Sequence, residues 1–170
     1  MAREFILETE RMRLETWLRN PEDFEDLYEL HTDERVKPSY APGPGKWTRD
    51  GLAKRYSDYL TEQEQHGLTK WRAVLMDGTF VGRAGWSPWH AGSLEIGYAF
   101  KPDFWGLGLA TEVTAALIDW ARQNRPEFKL VGFALTHNLA SRRILAKSGM
   151  SFLELRDIAG VENAYYVLPE

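Results

Sequence analysis

The chain has 170 residues and a formal net charge of −4 at pH 7, with 44% hydrophobic and 27% charged residues. This composition predicts one soluble, globular domain over residues 1–170 and argues against disorder and against general nucleic-acid binding, which favours a basic surface. No cysteine is present, so disulfides, thiolate metal sites and a cysteine nucleophile are excluded. The four histidines show no metal-ligand spacing and no apolar run approaches the roughly 20 residues that cross a bilayer, so we expect no metal, no membrane association and a cytoplasmic location.

The first half of the chain carries strong capping and turn signals. Asn20 followed by Pro21 is typical of a helix start, and Asp77-Gly78 between two strand-like runs is typical of a tight hairpin. We predict, in chain order, a strand over residues 12–18, a helix capped by Asn20, a second helix between Thr48 and Gly67, and a hairpin of strands 71–76 and 79–86.

The second half mixes periods of two and of 3.6 residues. It predicts a strand at 94–100, a helix carrying Ala110, Val113, Thr114, Leu117 and Ala121, a strand at 129–136, a helix at 139–147 and strands at 151–157 and 161–168. Because strands and helices do not alternate regularly, the order favours an α+β fold with a mixed, mostly antiparallel central sheet and helices on both faces.

A glycine-interrupted turn between the strand at 94–100 and the following helix is the most informative feature. Gly106 and Gly108 permit a tight turn and a close approach of a ligand to the backbone. The free N–H groups and the dipole of the helix start favour negative charge there. A dinucleotide-binding fold would place such a turn after its first strand, so the position of this one argues against that class.

One motif runs from Trp105 to Ala110 and is similar to Gln/Arg-x-x-Gly-x-Gly/Ala, with tryptophan in the first place. A second runs from Asn138 to Met150 and is similar to Asn-x-x-Ser…Lys-x-Gly-Phe. The two motifs resemble those of the GNAT N-acetyltransferase superfamily, and within it the ribosomal-protein N-terminal acetyltransferase (RimJ/RimL-like) branch. The resemblance covers nearly the whole chain and implies a GNAT fold, acetyl-CoA as co-substrate and a primary amine as acceptor.

The resemblance also implies which residues bind the cofactor: backbone groups along the strand would pair with the pantetheine arm, and the glycine turn would hold the pyrophosphate. These residues are Tyr98, Ala99, Phe100, Trp105, Gly106, Leu107, Gly108, Leu109, Ala110, Thr111 and Asn138.

Glu95 and Ser141 are the candidate catalytic residues. Strand alternation puts Glu95 on one face with Gly97 and Ala99, whose small size predicts an open groove above the carboxylate, and we interpret Glu95 as a general base. The alternative is a structural salt bridge, for instance with Arg83. The resemblance implies that Ser141 protonates the departing thiolate; the alternative is hydrogen bonding at a helix start.

The sequence thus predicts an N-acetyltransferase in which the amine attacks the thioester directly. The alternative is a non-catalytic acyl-CoA-binding or sensor module on the same fold. The acceptor is a small-molecule or peptide amine, and the segments expected to meet it (32–48, 86–93 and 157–163) carry no motif that identifies it. The sequence leaves the oligomeric state open.

Overall fold

A single eight-stranded sheet with four helices packed on it organises residues 2–170, the part of the chain that the computed structural model describes. The strands are β1 (Phe5–Glu8), β2 (Met12–Glu15), β3 (Lys70–Leu75), β4 (Phe80–Pro88), β5 (Ser93–Phe100), β6 (Lys129–Leu135), β7 (Ser151–Ile158) and β8 (Val161–Val167). The helices are α1 (Pro21–Thr32), α2 (Arg49–His66), α3 (Leu109–Asn124) and α4 (Leu139–Lys147), with short 3₁₀ turns at Lys37–Ser39 and Pro102–Phe104.

The strand order is β1-β2-β3-β4-β5-β6-β8-β7. Every neighbouring pair is antiparallel except β5 and β6, which run parallel. A parallel pair needs a long crossover connection, and α3 supplies it. The prediction of a mixed, mostly antiparallel sheet is therefore confirmed.

The two faces of the sheet bury separate clusters of apolar side chains. On one face, Leu94 and Ile96 of β5 pack with side chains of α3 and α4, including Leu117 and Leu145. On the other, Ala99 packs against a cluster built by α1 and α2 around the fully buried Trp17. The alternation of β5 side chains between the clusters confirms that helices cover both faces.

The predicted helix boundaries are confirmed by their caps. The Asn20 side chain accepts from the N–H of Asp23 (2.8 Å), and Thr48 accepts from the N–H of Gly51 (3.0 Å). Gly67 ends α2 in a left-handed conformation (φ 65°), which a residue with a Cβ adopts only at a cost.

The N-terminal edge of the sheet differs from the sequence-based prediction in two places. The four-residue strand β1 was not predicted, because so short an edge strand has no clear alternation. The strand predicted over residues 12–18 ends at Glu15. It ends early because side chains take the next backbone donors: Gln63 accepts from the N–H of Trp17 (2.9 Å) and Asp23 from that of Leu18 (2.7 Å).

The sheet opens between its two parallel strands. Pairing of β5 with β6 ends at Ile96 and Gly132, whereas β6 continues its pairing with β8 as far as Leu135. The last four residues of β5, from Gly97 to Phe100, therefore have a partner on one side only. This split is the feature that positions the site.

Candidate active site

The free edge of β5 exposes backbone groups of Tyr98 and Phe100. The N–H of Lys101 donates to the carbonyl of Val81 on β4 (2.8 Å), so the alternation of an antiparallel ladder directs Lys101 and Ala99 toward β4. Tyr98 and Phe100 consequently direct their backbone groups into the split. The backbone groups of Ala99, which were also predicted from the sequence to bind the cofactor, take part in the pairing with Arg83.

The glycine turn after β5 forms a row of unpaired donors. None of the six backbone N–H groups from Gly106 to Thr111 (Gly106, Leu107, Gly108, Leu109, Ala110 and Thr111) donates to another group within residues 2–170. Gly106 (φ 77°) and Gly108 (φ 79°) are both left-handed, and a Cβ at Gly106 would enter open space. Unpaired N–H groups at the start of the 16-residue helix α3 favour negative charge at this position.

Arg11 and Glu112 hold this turn against the start of β2, and no sequence motif points to Arg11. Its guanidinium donates to the carbonyl of Leu107 (2.8 Å) and to the carboxylate of Glu112 (2.9 Å). Glu112 also accepts from the hydroxyl of Thr9 (2.6 Å). Burial opposes ionisation of Glu112, but these hydrogen bonds outweigh it and lower its pKa. The ionised carboxylate of Glu112 thus holds Arg11 in place, and Arg11 in turn holds the turn through the carbonyl of Leu107.

Trp105 ties the turn to the end of β5. Its indole N–H donates to the carbonyl of Phe100 (2.8 Å), and half of the side chain is exposed. With that carbonyl occupied, the groups left free in the split are the N–H of Phe100 and both backbone groups of Tyr98 within the described chain.

Ser141 lies beside the split through its contact with Tyr98. The Tyr98 hydroxyl lies 2.9 Å from the Ser141 hydroxyl and donates to the Ser141 carbonyl at 3.0 Å. Burial raises the pKa of Tyr98, so its hydroxyl stays protonated at neutral pH. Capping of α4 falls to Asn138, whose side-chain oxygen accepts from the N–H of Ser141 (3.2 Å), so the hydroxyl of Ser141 is not used as a cap. Asn138 keeps its amide N–H₂ group free of partners within residues 2–170.

Glu95 is paired with Lys70, not with Arg83. The Lys70 ammonium donates to the Glu95 carboxylate (2.7 Å) and also to the Glu95 carbonyl (2.9 Å), with both side chains largely buried. The expected open groove is wrong at this point, since a Cβ on Gly97 would lie 2.4 Å from Cε of Lys70. Position 97 requires a glycine because the side chain of Lys70 crosses the sheet directly over it. No sequence spacing links Lys70 to Glu95, because Lys70 lies on β3, Glu95 lies on β5, and the pairing of both strands with β4 brings them together.

The pair continues to the surface through two more polar groups. Lys70 donates to the Ser87 hydroxyl (3.0 Å), and that hydroxyl donates to the Glu62 carboxylate (2.9 Å) on α2. Glu62 is partly exposed. A continuous chain of hydrogen bonds thus connects Glu95 with solvent and can carry a proton.

A cavity of about 760 Å³ opens next to the far end of β6. The loop between α1 and α2 forms one wall with Tyr40 and Trp47, and Leu135 and Val161 lie on the other wall. The predicted acceptor segments 32–48 and 157–163 both line it; the segment 86–93 does not. His137 bridges the walls, with its Nε2 3.1 Å from the carbonyl of Pro38.

Within residues 2–170, no group of three or more acidic or histidine side chains is arranged to hold a metal ion. In the same part of the chain, none of the helices combines the length and the apolar character that crossing a bilayer requires.

A mixed, mostly antiparallel sheet that splits between its two parallel strands, with a glycine turn beside the split, is the architecture of the GNAT acetyltransferase fold. The chain belongs to the GNAT acetyltransferase family: the acetyltransferase (GNAT) domain matches residues 11–151. The predicted family is therefore confirmed.

Known proteins show the same likeness. A GNAT-family acetyltransferase of Bordetella pertussis has a similar structure (TM-score 0.78, 17% identity, 98% of this chain and 99% of that chain). So does RimL, a ribosomal L7/L12 α-N-protein acetyltransferase, in its complex with coenzyme A (TM-score 0.76, 14% identity, 96% of this chain and 97% of that chain). The uncharacterised protein YkkB of Bacillus subtilis is 31% identical over 94 residues, 53% of this chain and 55% of its own length. The chain thus matches about half the length of that relative. The fold of the ribosomal-protein branch is shared, and acetyl-CoA as co-substrate is confirmed for the family.

Proposed function

We propose that this protein is an N-acetyltransferase that moves the acetyl group of acetyl-CoA directly to a primary amine in a ternary complex. The observation that carries the proposal is the free edge of β5 leading into the turn of six unpaired N–H groups. The free strand edge can accept a peptide-like arm, and the turn can accept negative charge.

In the proposed complex, the pyrophosphate of acetyl-CoA lies on the N–H groups from Gly106 to Thr111. The pantetheine arm lies along Tyr98 and Phe100 as an additional strand, because its amides can use the donors and acceptors that β6 leaves unpaired. The free amide group of Asn138 is available to the same arm. The thioester then lies in the split, where a backbone N–H of β5 can polarise its carbonyl as an oxyanion donor does.

Glu95 is the proposed acceptor of the amine proton, directly or through water. The proton can leave through Lys70, Ser87 and Glu62, which connect the carboxylate with solvent. The neutral amine attacks the carbonyl carbon, the C–S bond breaks, and Ser141 donates a proton to the departing thiolate. Ser141 then regains a proton from solvent, while Tyr98, whose raised pKa keeps its hydroxyl protonated, orients the Ser141 hydroxyl through a hydrogen bond.

The proton balance favours an α-amino group as acceptor. At about pH 7.5, deprotonating a lysine side chain with a pKa of ~10.4 costs ~4 kcal/mol, whereas an α-amine with a pKa of ~7.7–8.0 costs under ~1 kcal/mol. With one carboxylate base that is shared with an ammonium group, the site suits the amine that is easier to deprotonate.

The test is release of free CoA thiol from acetyl-CoA with a panel of amines: free amino acids, peptides with a single α-amine, peptides with a single lysine ε-amine, polyamines and aminoglycosides. We expect release with at least one α-amine and slower release with ε-amines. The ion pair of Glu95 with Lys70 favours one competing function, a non-catalytic acyl-CoA-binding module. Tight acetyl-CoA binding without thiol release for any amine would support that function instead.

A further inference from the structure

Three cations converge on one aromatic ring beside the cavity at the far end of β6, and none of them has an ion-pair partner within residues 2–170. The charged groups of Lys46, Arg55 and Arg83 lie 5.9, 5.4 and 5.6 Å from the centre of the Tyr40 ring. No carboxylate of the described chain lies within salt-bridge distance of any of them. We call these four residues, together with His31, the cationic cluster.

Arg83 is the most demanding member of the cationic cluster, because it is only 4% exposed. A buried charge without a counter-ion is costly, so such groups are normally paired. Among residues 2–170 its guanidinium donates only to neutral groups, Nε2 of His31 (3.2 Å) and the Tyr40 hydroxyl (2.5 Å). Glu95, whose negative charge acts on Arg83, is itself bound to Lys70.

Three members of the cluster, His31, Tyr40 and Arg55, have hydrogen-bond donors without an acceptor within residues 2–170. Burial and the nearby cations lower the pKa of His31, so the ring is neutral. Because its Nε2 accepts from Arg83, the ring proton lies on Nδ1. That N–H group is buried and has no hydrogen-bond partner within residues 2–170. Burial raises the pKa of Tyr40, so its hydroxyl keeps a proton that it donates to no group of the described chain. Arg55 likewise donates to none of residues 2–170. An ensemble of unpaired donors and positive charge is complementary to an anion.

The cluster lies next to the proposed acyl position and away from the phosphate site. The register partner of Arg83 on β5 is Ala99, which stands between Tyr98 and Phe100. Adjacent strands are about 4.8 Å apart, so the cluster begins one strand from the split. Tyr40 and Trp47 also line the cavity, and Trp47 stacks on His31 (6.1 Å between ring centres). The phosphates of acetyl-CoA belong at the turn of Gly106, where Arg11 is the neighbouring cation.

From this placement we infer that the amine acceptor carries a carboxylate, which the cationic cluster binds while the amine faces the thioester. Resting on the proposed function, this names the acceptor class as amino acids or N-terminal residues with a carboxylate near the α-amine. The cavity walls are aromatic and apolar around Trp47, Leu135 and Val161, which suits an apolar remainder of the acceptor.

The experiment compares matched acceptors in the intact protein. One arm sets L-phenylalanine, L-leucine and L-glutamate against their α-amides; the other sets a peptide amide beginning with Asp against the same peptide beginning with Asn. The first arm tests an α-carboxylate and the second a side-chain carboxylate. Rates of CoA thiol release per concentration of unprotonated amine, and calorimetric binding to the CoA-loaded protein, are both measured. We expect the carboxylate form to be favoured at least tenfold in one arm.

The variants Arg55→Gln and Tyr40→Phe should reduce the preference for the carboxylate form about tenfold, because each removes a donor to the carboxylate. The preference is a ratio of two acceptors measured with the same variant, so a general loss of activity does not change it. Lys54→Gln is the matched control: it removes a charge from the same helix, but its side chain is 78% exposed and paired with Asp58. It should leave the preference unchanged.

Equal use and equal binding of acids and amides in both arms would overturn the inference while leaving acetyl transfer intact. A preference that survives both variants would also overturn it. Absence of thiol release with every amine would contradict the proposed function instead, and the binding measurement would then still decide whether the cluster holds a carboxylate.

Discussion

The turn at Gly106 offers the sharpest test of the cofactor site, through the substitution Gly106→Val. The residue is left-handed (φ 77°), and a Cβ there meets nothing within 4 Å in the protein. A left-handed conformation costs a residue with a side chain about 1–2 kcal/mol. For a chain of this length that corresponds to a fall in Tm of roughly 2–8 °C. The fold should therefore survive.

Binding of acetyl-CoA should fall much more, because the new side chain or a backbone rearrangement disturbs the row of N–H groups. A hydrogen bond to a charged group contributes about 1.5–3 kcal/mol, so losing a single one weakens binding roughly tenfold or more. We expect at least a tenfold increase in Kd for acetyl-CoA, measured by titration calorimetry.

Gly92→Val provides the matched control. Gly92 is also left-handed (φ 75°) with nothing within 4 Å of its Cβ position, but it lies at the opposite end of β5. Both variants should lose similar thermal stability, and only Gly106→Val should lose affinity. Unchanged acetyl-CoA affinity in a folded Gly106→Val protein would refute the assignment of the turn.

Three further predictions follow from the site. Ser141→Ala should slow turnover several-fold with little change in acetyl-CoA affinity, measured as kcat and Kd; a wild-type kcat across neutral pH would show that Ser141 donates no proton. Glu95→Gln should lose rate mainly at low pH and recover above about pH 8, where more of the α-amine is free; a defect that is constant with pH would assign Glu95 to positioning. Glu112→Gln should be less stable than the wild type at pH 7. Because the pKa of Glu112 is lowered from 4.5 in the folded state, its stabilising contribution is complete above about pH 4.5 and is lost as the pH falls through the lower folded value. The difference in Tm between the two proteins should shrink there, and a difference that persists in acid would contradict the role of the carboxylate.

Local signals predicted the parts of the fold that local chemistry decides. Asn20, Thr48 and Gly67 mark helix ends because capping involves residues a few positions apart. The turn of Gly106 and Gly108 could also be predicted from the sequence, because a left-handed backbone conformation beside a helix start favours glycine.

Contacts between distant strands and helices could not be predicted in the same way. Glu95 meets Lys70 across the intervening strand β4, and Arg11 contacts Glu112 from 101 positions away, so no spacing in the sequence relates them. The early end of β2 depends on Gln63, a residue of α2. The cationic cluster is similar, since Arg83 comes from β4 while Tyr40 and Arg55 come from the loop and helix above it.

The most direct test of acetyl transfer is the initial rate of CoA thiol release while acetyl-CoA and a carboxylate-bearing α-amine are varied together. Direct attack in a ternary complex predicts that the rate depends on both reactants and that double-reciprocal lines intersect. Parallel lines would indicate a covalent acetyl-enzyme, as in ping-pong kinetics, and would contradict the direct attack. Thiol release that stays at the rate of spontaneous hydrolysis at every amine concentration would contradict catalysis itself.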